Sequence, residues 1–221
     1  MGHKPTYLSF AEAAALPLTA ITAWETLFDH MHLSSESTGT LLVIGGAGGV
    51  GSLVIQFAKQ FTNLTVIATA ARPESAAWCE RMGADAVVDH AEPLAPQLRE
   101  HGDTDYVFSA YTIGRESDIS EAMAPHGHLV LIDDPETFNI GAFKPRSITV
   151  TPEFMFTRSM FTTADMNAQG SVLEKVRGAV EAGDIVSTLT SELDGMIPEA
   201  LLEAHRVVET GHVTGKIAVT F

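Results

Sequence analysis

Residues 40–59 read TLLVIGGAGGVGSLVIQFAK, an apolar run that breaks into glycine and resumes on a helical period. Leu41, Leu42, Val43 and Ile44 are short, mostly branched and apolar on both faces, as a strand buried in a parallel sheet must be. Gly46, Gly48 and Gly51 then form GxGxxG. In that pattern the first glycine permits a sharp turn, the second lets backbone approach a pyrophosphate, and the third lets helix and strand pack closely. Leu53, Val54, Phe57 and Ala58 continue as a helix, whose free N–H groups and dipole would face the phosphates. A P-loop is excluded on one residue, because Ser52 stands where that motif needs lysine.

Outward from this unit, strand and helix alternate. Strands are predicted at residues 65–69, 86–89, 105–109, 128–132 and 147–150, with helices at 74–82, 94–101 and 118–124, the last stopped by Pro125. Alternation of this kind implies an α/β fold, a doubly wound parallel sheet with flanking helices. Ligands then bind at the carboxyl ends of the strands, which places Thr69, Ala70, Ser109, Ala110 and Asp133 on the binding edge. Before the sheet, Ser9 and Glu12 have capping-box spacing and Pro17 should divide an alanine-rich helical stretch in two. After it, residues 171–182 and 198–210 are amphipathic helices, closed by Gly183 and Gly211, and residues 216–221 alternate as a strand. The expected partition is a helical lead-in at 1–39, a dinucleotide-binding domain at 40–165, and C-terminal helices with a closing strand at 166–221.

Thirteen Lys and Arg against 28 Asp and Glu leave a formal charge of −15, which argues against a general surface for nucleic acid or anionic membrane. The single cysteine, Cys79, excludes an internal disulfide and a cysteine-rich zinc site, and is expected to pack as a small apolar side chain. With no membrane-spanning run and no signal-peptide layout, the cytoplasm is the default location.

An NAD-preferring fold of this kind usually carries an acid at the end of its second strand. Here the sequence is Thr69, Ala70, Ala71, Arg72. An arginine without an acid favours the 2′-phosphate of NADP, provided that Glu74 does not pair with it.

The segments LPLTAITAWETLFD, LLVIGGAGGVGSLVIQFAKQ, IATAARPESAAWCERMGAD, VVDH, EFMFTRSMF and GHVTGKIAVTF together resemble the medium-chain dehydrogenase/reductase superfamily. Within it, the likeness is to zinc-type alcohol dehydrogenase-like proteins close to quinone oxidoreductases. The resemblance implies a Rossmann domain that binds NADPH and serves hydride transfer to a quinone, an activated double bond or a carbonyl. It implies that Gly46, Gly48, Gly49, Val50 and Gly51 hold the pyrophosphate and Arg72 the 2′-phosphate, although Ala71 stands where relatives often have serine. His90 falls where related reductases carry a tyrosine near the adenosine. Thr22 matches a threonine near the nicotinamide, Ser109 and Ala110 lie on a strand end lining the cofactor, Phe154, Met155 and Phe156 occupy the segment passing the nicotinamide, and Lys216 opens the closing strand.

Members of the family begin with a GroES-like catalytic domain, so a truncated form is expected. Ile217, Val219 and Phe221 should then lack their usual cover.

His30-x-His32 and His126-x-His128 lack nearby cysteines and suit metal poorly, so no zinc is expected. Asp133 and Asp134 fit a turn better than an acid–base pair. Tyr111 is followed by Arg115 where a short-chain dehydrogenase needs lysine. No catalytic side chain is evident, since hydride passes directly between cofactor and substrate in reductases of the resembling kind. An NADPH-dependent oxidoreductase is therefore the leading expectation, with a non-catalytic NADP-binding module or an interaction domain as alternatives. An open edge at residues 147–153 suggests a homodimer across a two-fold axis.

Overall fold

The computed structural model describes residues 2–195 and 197–221; Met1 and Met196 lie outside the described residues. Near the N-terminus, helix α1 (Phe10–Ala14) opens on the expected capping box, with Glu12 N–H donating to Ser9 Oγ at 3.1 Å and Ser9 N–H to Glu12 Oε2 at 2.8 Å. Pro17 starts α2 (Pro17–Trp24), where its missing N–H costs nothing. The helix then widens into a π-helical turn, Glu25–His30.

Strand β1 (Thr40–Ile44) leads through the glycine turn to α3 (Gly49–Phe61), β2 (Thr65–Thr69), α4 (Pro73–Arg81) and β3 (Ala86–Val88). The second half continues with α5 (Leu94–Leu98), β4 (Thr104–Ser109), α6 (Glu116–Ala122), β5 (Met123–Leu131) and β6 (Thr149–Pro152). These six strands form one sheet in the order β3-β2-β1-β4-β5-β6. Every pairing is parallel, as the βαβ alternation predicts. The sheet is therefore the expected doubly wound Rossmann sheet.

Both faces are covered, because alternate residues of each strand point to opposite sides. Leu41, Val43, Val66, Ala68, Phe108 and Val130 pack with α2 and α3 on one side. Leu42, Ile44, Ile67, Val107, Leu129 and Leu131 pack with Leu94, Ile119 and Phe143 on the other. Trp24, Phe28, Phe57 and Phe61 interlock where α2 and its wide turn cross α3, with ring centroids 4.4 to 6.1 Å apart. Each such ring pair adds about 0.5–1.5 kcal/mol beyond area burial. Helix α7 (Thr157–Met160) buries nothing, whereas α8 (Ala168–Ala182) sends Val172, Val176, Ala179 and Val180 into the first core.

Three expectations are corrected. The helix expected to run to Ala124 ends at Ala122, and extended backbone begins at Met123. Pro125 falls instead where the β4–β5 register shifts between Thr104 and Tyr106, and a bulge accommodates the missing donor. The edge strand begins at Thr149, not at 147, because Ser147 takes a left-handed φ of 52° that ends a turn. Finally, the closing strand β8 (Lys216–Thr220) is paired in parallel by a strand that the sequence pattern did not reveal, β7 (Leu189–Asp194). Ile217 and Val219 are half-buried in that small sheet, beside α9 (Pro198–Glu209), while Phe221 is 96% exposed.

Candidate dinucleotide site

The turn after β1 divides its work among four glycines. The left-handed residue is Gly45, with φ of 82°, so Gly46 is not the turn-maker that the motif suggested. Gly46 is needed for space, since a Cβ there would lie 2.8 Å from Ala68 Cβ and 3.1 Å from Cys79 Sγ. A Cβ on Gly51 would collide with the Gly45 carbonyl, which holds α3 close against β1. Gly48 is different: a Cβ there would meet only the Gly45 carbonyl, at 3.4 Å, so packing does not demand glycine and the bare backbone faces open space. That space suits a phosphate group approaching the N–H groups of Gly49, Val50 and Gly51, which start α3 without intrahelical partners. Ser52 is buried, donating to the Gly48 carbonyl at 2.7 Å and accepting from Trp78 Nε1 at 2.8 Å, a structural role.

A cavity of about 340 Å³ lies over the carboxyl ends of β1, β2, β4 and β5. It brings together Gly48, Gly49, Val50, Gly51, Thr69, Arg72, His90 and Ala110 from the sequence reading. Gly46 and the buried Ser109 lie beneath it, and Ser109 Oγ accepts from the Tyr111 N–H at 3.2 Å. Thr22, Phe154, Met155 and Lys216 are not in its lining. The Thr22 hydroxyl donates to the Leu18 carbonyl at 3.1 Å, whereas the Lys216 stem crosses Gly49 closely enough to exclude a Cβ there.

The lining includes no carboxylate, in a chain with a formal charge of −15. Arg72 Nη2 donates to Ser75 Oγ at 3.1 Å and to the His212 carbonyl at 2.8 Å, and among the described residues Glu74 does not pair with it. At the same end, Thr69 Oγ1 accepts from the Gly45 N–H at 3.1 Å and lies 3.2 Å from His90 Nδ1. Burial, together with the charges of Arg115 and Arg72, lowers the His90 pKa. Burial also pushes the Cys79 thiol up to about 12, so it packs as an inert apolar group.

The sequence reading missed the residues at 211–213, which line the cavity from the far end of the chain. They are brought there by a bridge between Gly48 and Gly215, with Gly215 N–H donating to the Ala47 carbonyl at 2.8 Å. It also missed Ser75 and Tyr111; the first had a signal, three residues after an arginine at a helix start.

Other candidates have structural roles. Asp133 accepts from the Thr112 N–H and hydroxyl at 2.6 and 2.7 Å, capping a turn. His30 pairs with Glu153, and His128 Nε2 lies 2.9 Å from Thr151 Oγ1.

A Rossmann sheet with a glycine-lined, carboxylate-free cavity at its topological switch point is the architecture of the dinucleotide-binding domains of dehydrogenases. Residues 49–169 match the zinc-binding dehydrogenase family. The chain is 41% identical to a zinc-type alcohol dehydrogenase-like protein of Staphylococcus aureus (strain COL), over 99% of this chain and 67% of that protein. It superposes with a TM-score of 0.93 and 44% identity on a crystal structure from Rhizobium etli CFN 42 assigned as a zinc-dependent alcohol dehydrogenase, covering 98% of this chain. It spans 65% of that relative's length. An NADPH-dependent alkenal/one oxidoreductase of Arabidopsis thaliana is 31% identical over 98% of this chain and 48% of its own length. The chain belongs to the zinc-binding dehydrogenase family, within the medium-chain dehydrogenase/reductase superfamily.

Among the described residues, no three His, Cys, Asp or Glu side chains come together in a way that could hold a metal ion. The zinc of the family's name therefore has no ligand set among them. Nor, among them, is any helix long and apolar enough to cross a membrane.

Proposed function

We propose that this chain is the NADPH-binding part of an oxidoreductase that transfers hydride to a quinone, an activated double bond or a carbonyl. The observation that carries the reading is Arg72, held by Ser75 and the His212 carbonyl at the mouth of a cavity without carboxylates. A 2′-phosphate there would meet a guanidinium and the first turn of α4, both favourable to an anion. His90 and Thr69 would flank the adenosine, and the N–H groups of Gly49, Val50 and Gly51 would take the pyrophosphate. With those two groups at β2 and β1, the nicotinamide extends over the ends of β4, β5 and β6, past Ala110 and Ile132 and toward Thr22, Phe154, Met155 and Lys216. Bound NADPH supplies the hydride; the chain's own residues orient it and keep water from one face. The NADPH dependence stated for the Arabidopsis relative supports the cofactor assignment.

A second reading, an NADP-binding module without turnover, is favoured by one observation: the cavity stops at Ala110, Tyr111 and Ile132 on the nicotinamide side. In either reading the protein works in the cytoplasm as a homodimer. The open edge of β6 supports the homodimer.

Calorimetric titration tests the cofactor assignment. NADPH is expected to bind more tightly than NADH. Equal affinity would remove Arg72 from the phosphate site, and absence of binding would sink the whole reading. Turnover of an enone or quinone with NADPH separates the enzyme from the module.

A further inference from the structure

We infer that the π-helical turn Glu25–His30 is a clamp that positions residues 153–158, the wall beside the nicotinamide half of the cleft. The inference rests on the NADP reading. Residues 153–158 follow β6 directly and so lie past the same carboxyl edge of the sheet as Ala110 and Ile132. Apolar burial does little to hold this segment. Phe154 and Phe156 are 52% and 45% exposed, and α7 contributes no buried residue.

Polar anchors hold it instead, and most of the side-chain ones lead to one turn of helix. At the start of the segment, His30 Nε2 lies 2.6 Å from Glu153 Oε2. In the middle, Gln169 Nε2 donates both to the Met155 carbonyl at 2.7 Å and to Glu25 Oε1 at 2.9 Å. At the end, the Arg158 guanidinium pairs with Glu25, with Asp29 at 2.9 Å, and with Asp165 at 2.9 Å. Glu25, Asp29 and His30 are separated by four and one residues, a spacing that the wider π turn gathers toward one side. Such turns recur at functional sites. Two of the anchors are also buried: Glu25 is 4% exposed, and Glu153 is 7% exposed, with Oε1 unpaired among the described residues. Charges held out of water tolerate little displacement, because a lost partner leaves the other uncompensated. Glu25 lies one turn after Thr22, so a single helix sets both sides of the nicotinamide position.

Glu25 and Gln169 are thus positioning residues, and the test must separate the two halves of the cofactor. NADPH and adenosine 2′,5′-bisphosphate, which carries only the adenosine half, are titrated into the native chain, Gln169→Ala and Glu25→Gln. In Gln169→Ala the NADPH dissociation constant should rise about tenfold, as expected for a lost hydrogen bond within a charged network. The bisphosphate should bind as before, although the melting temperature falls by a few degrees with the lost hydrogen bonds. Glu25→Gln keeps an acceptor for Gln169 but removes the charge that pairs with Arg158, and should likewise weaken NADPH binding while the bisphosphate binds as before. If both ligands weaken together in Gln169→Ala, or neither does, the clamp is overturned. It is overturned too if NADPH binds the native chain no more tightly than the bisphosphate, an outcome that leaves the cofactor assignment standing. Failure of the native chain to bind the bisphosphate sinks the NADP reading itself, and the clamp with it.

Discussion

His30 Nε2 sits 2.6 Å from Glu153 Oε2, joining the wide helical turn to the residue that follows the edge strand. The Glu153 carboxylate is the main cause that raises the His30 pKa, with smaller contributions from Asp29 and Glu25 on its own turn. On the strand packed beneath, His128 has its pKa lowered by burial and by the charge of His30. A raised folded-state pKa means that the His30 contribution is complete below the unfolded value of about 6.5 and is lost as pH rises through the folded value. His90 and His128, with lowered values, act in the opposite sense and lose stability as pH falls below about 6.5. The difference between native chain and His30→Gln isolates the pair. Thermal melts should show the native chain ahead by about 1 kcal/mol, or roughly 3 °C, at pH 6, with the gap closing toward pH 9. A gap that widens with pH would reverse the assignment.

Arg72→Ala removes the guanidinium but leaves Ser75 and the helix start. NADPH affinity should fall about 10- to 100-fold, the range for charge-assisted hydrogen bonds to a phosphate. NADH affinity should barely change. Calorimetry with both nucleotides reads the ratio, and parallel losses would mean that Arg72 serves the fold rather than the phosphate.

Val150→Pro tests assembly. Glu153 N–H donates inward to the Leu131 carbonyl at 2.8 Å, and alternation along the strand then turns the Val150 and Pro152 nitrogens outward. Pro152 already offers no donor, so Val150 is the remaining outward N–H in the body of β6. The substitution should leave the β5 pairing intact and give monomers by light scattering. An unchanged dimer would place the interface elsewhere.

Gly215→Ala tests the link between chain end and glycine loop. Gly215 has φ of 64°, and a Cβ there would collide with the Thr188 carbonyl and lie 2.8 Å from Thr190 Cγ2. A cost of about 1–3 kcal/mol is expected from backbone strain alone. NADPH affinity should fall with the melting temperature, because the same residue donates to Ala47. Weakened stability with unaltered affinity would uncouple the two.

The six-stranded sheet was legible because parallel strands buried on both faces read as unbroken apolar runs; TVIAT gave β2 to the residue. β7, with sequence LTSELD and no buried residue, has no such run, and only its pairing with β8 makes it a strand. Pro125 misled because a proline after a helical pattern usually marks a stop, whereas a bulge admits it here. On the cofactor side, the glycine loop and Arg72 were readable as local chemistry. His212 and Val213 were not, since nothing near them in sequence points to a phosphate. The widened turn at Glu25–His30 likewise carried no signal, because the side chains that support it come from beyond β6.

The bridge between Gly48 and Gly215 joins the glycine loop to the residue just before β8, on the far side of the main sheet in chain order. A nascent chain that has left the ribosome as far as α8 holds every strand of the main sheet and the helices on both its faces. It still lacks the wall contributed by residues 211–213 and the Lys216 stem over Gly49. The cofactor cleft is thus completed only after the main sheet has been made. Nucleotide affinity therefore reports on whether residues 211–216 have been threaded home against the glycine loop.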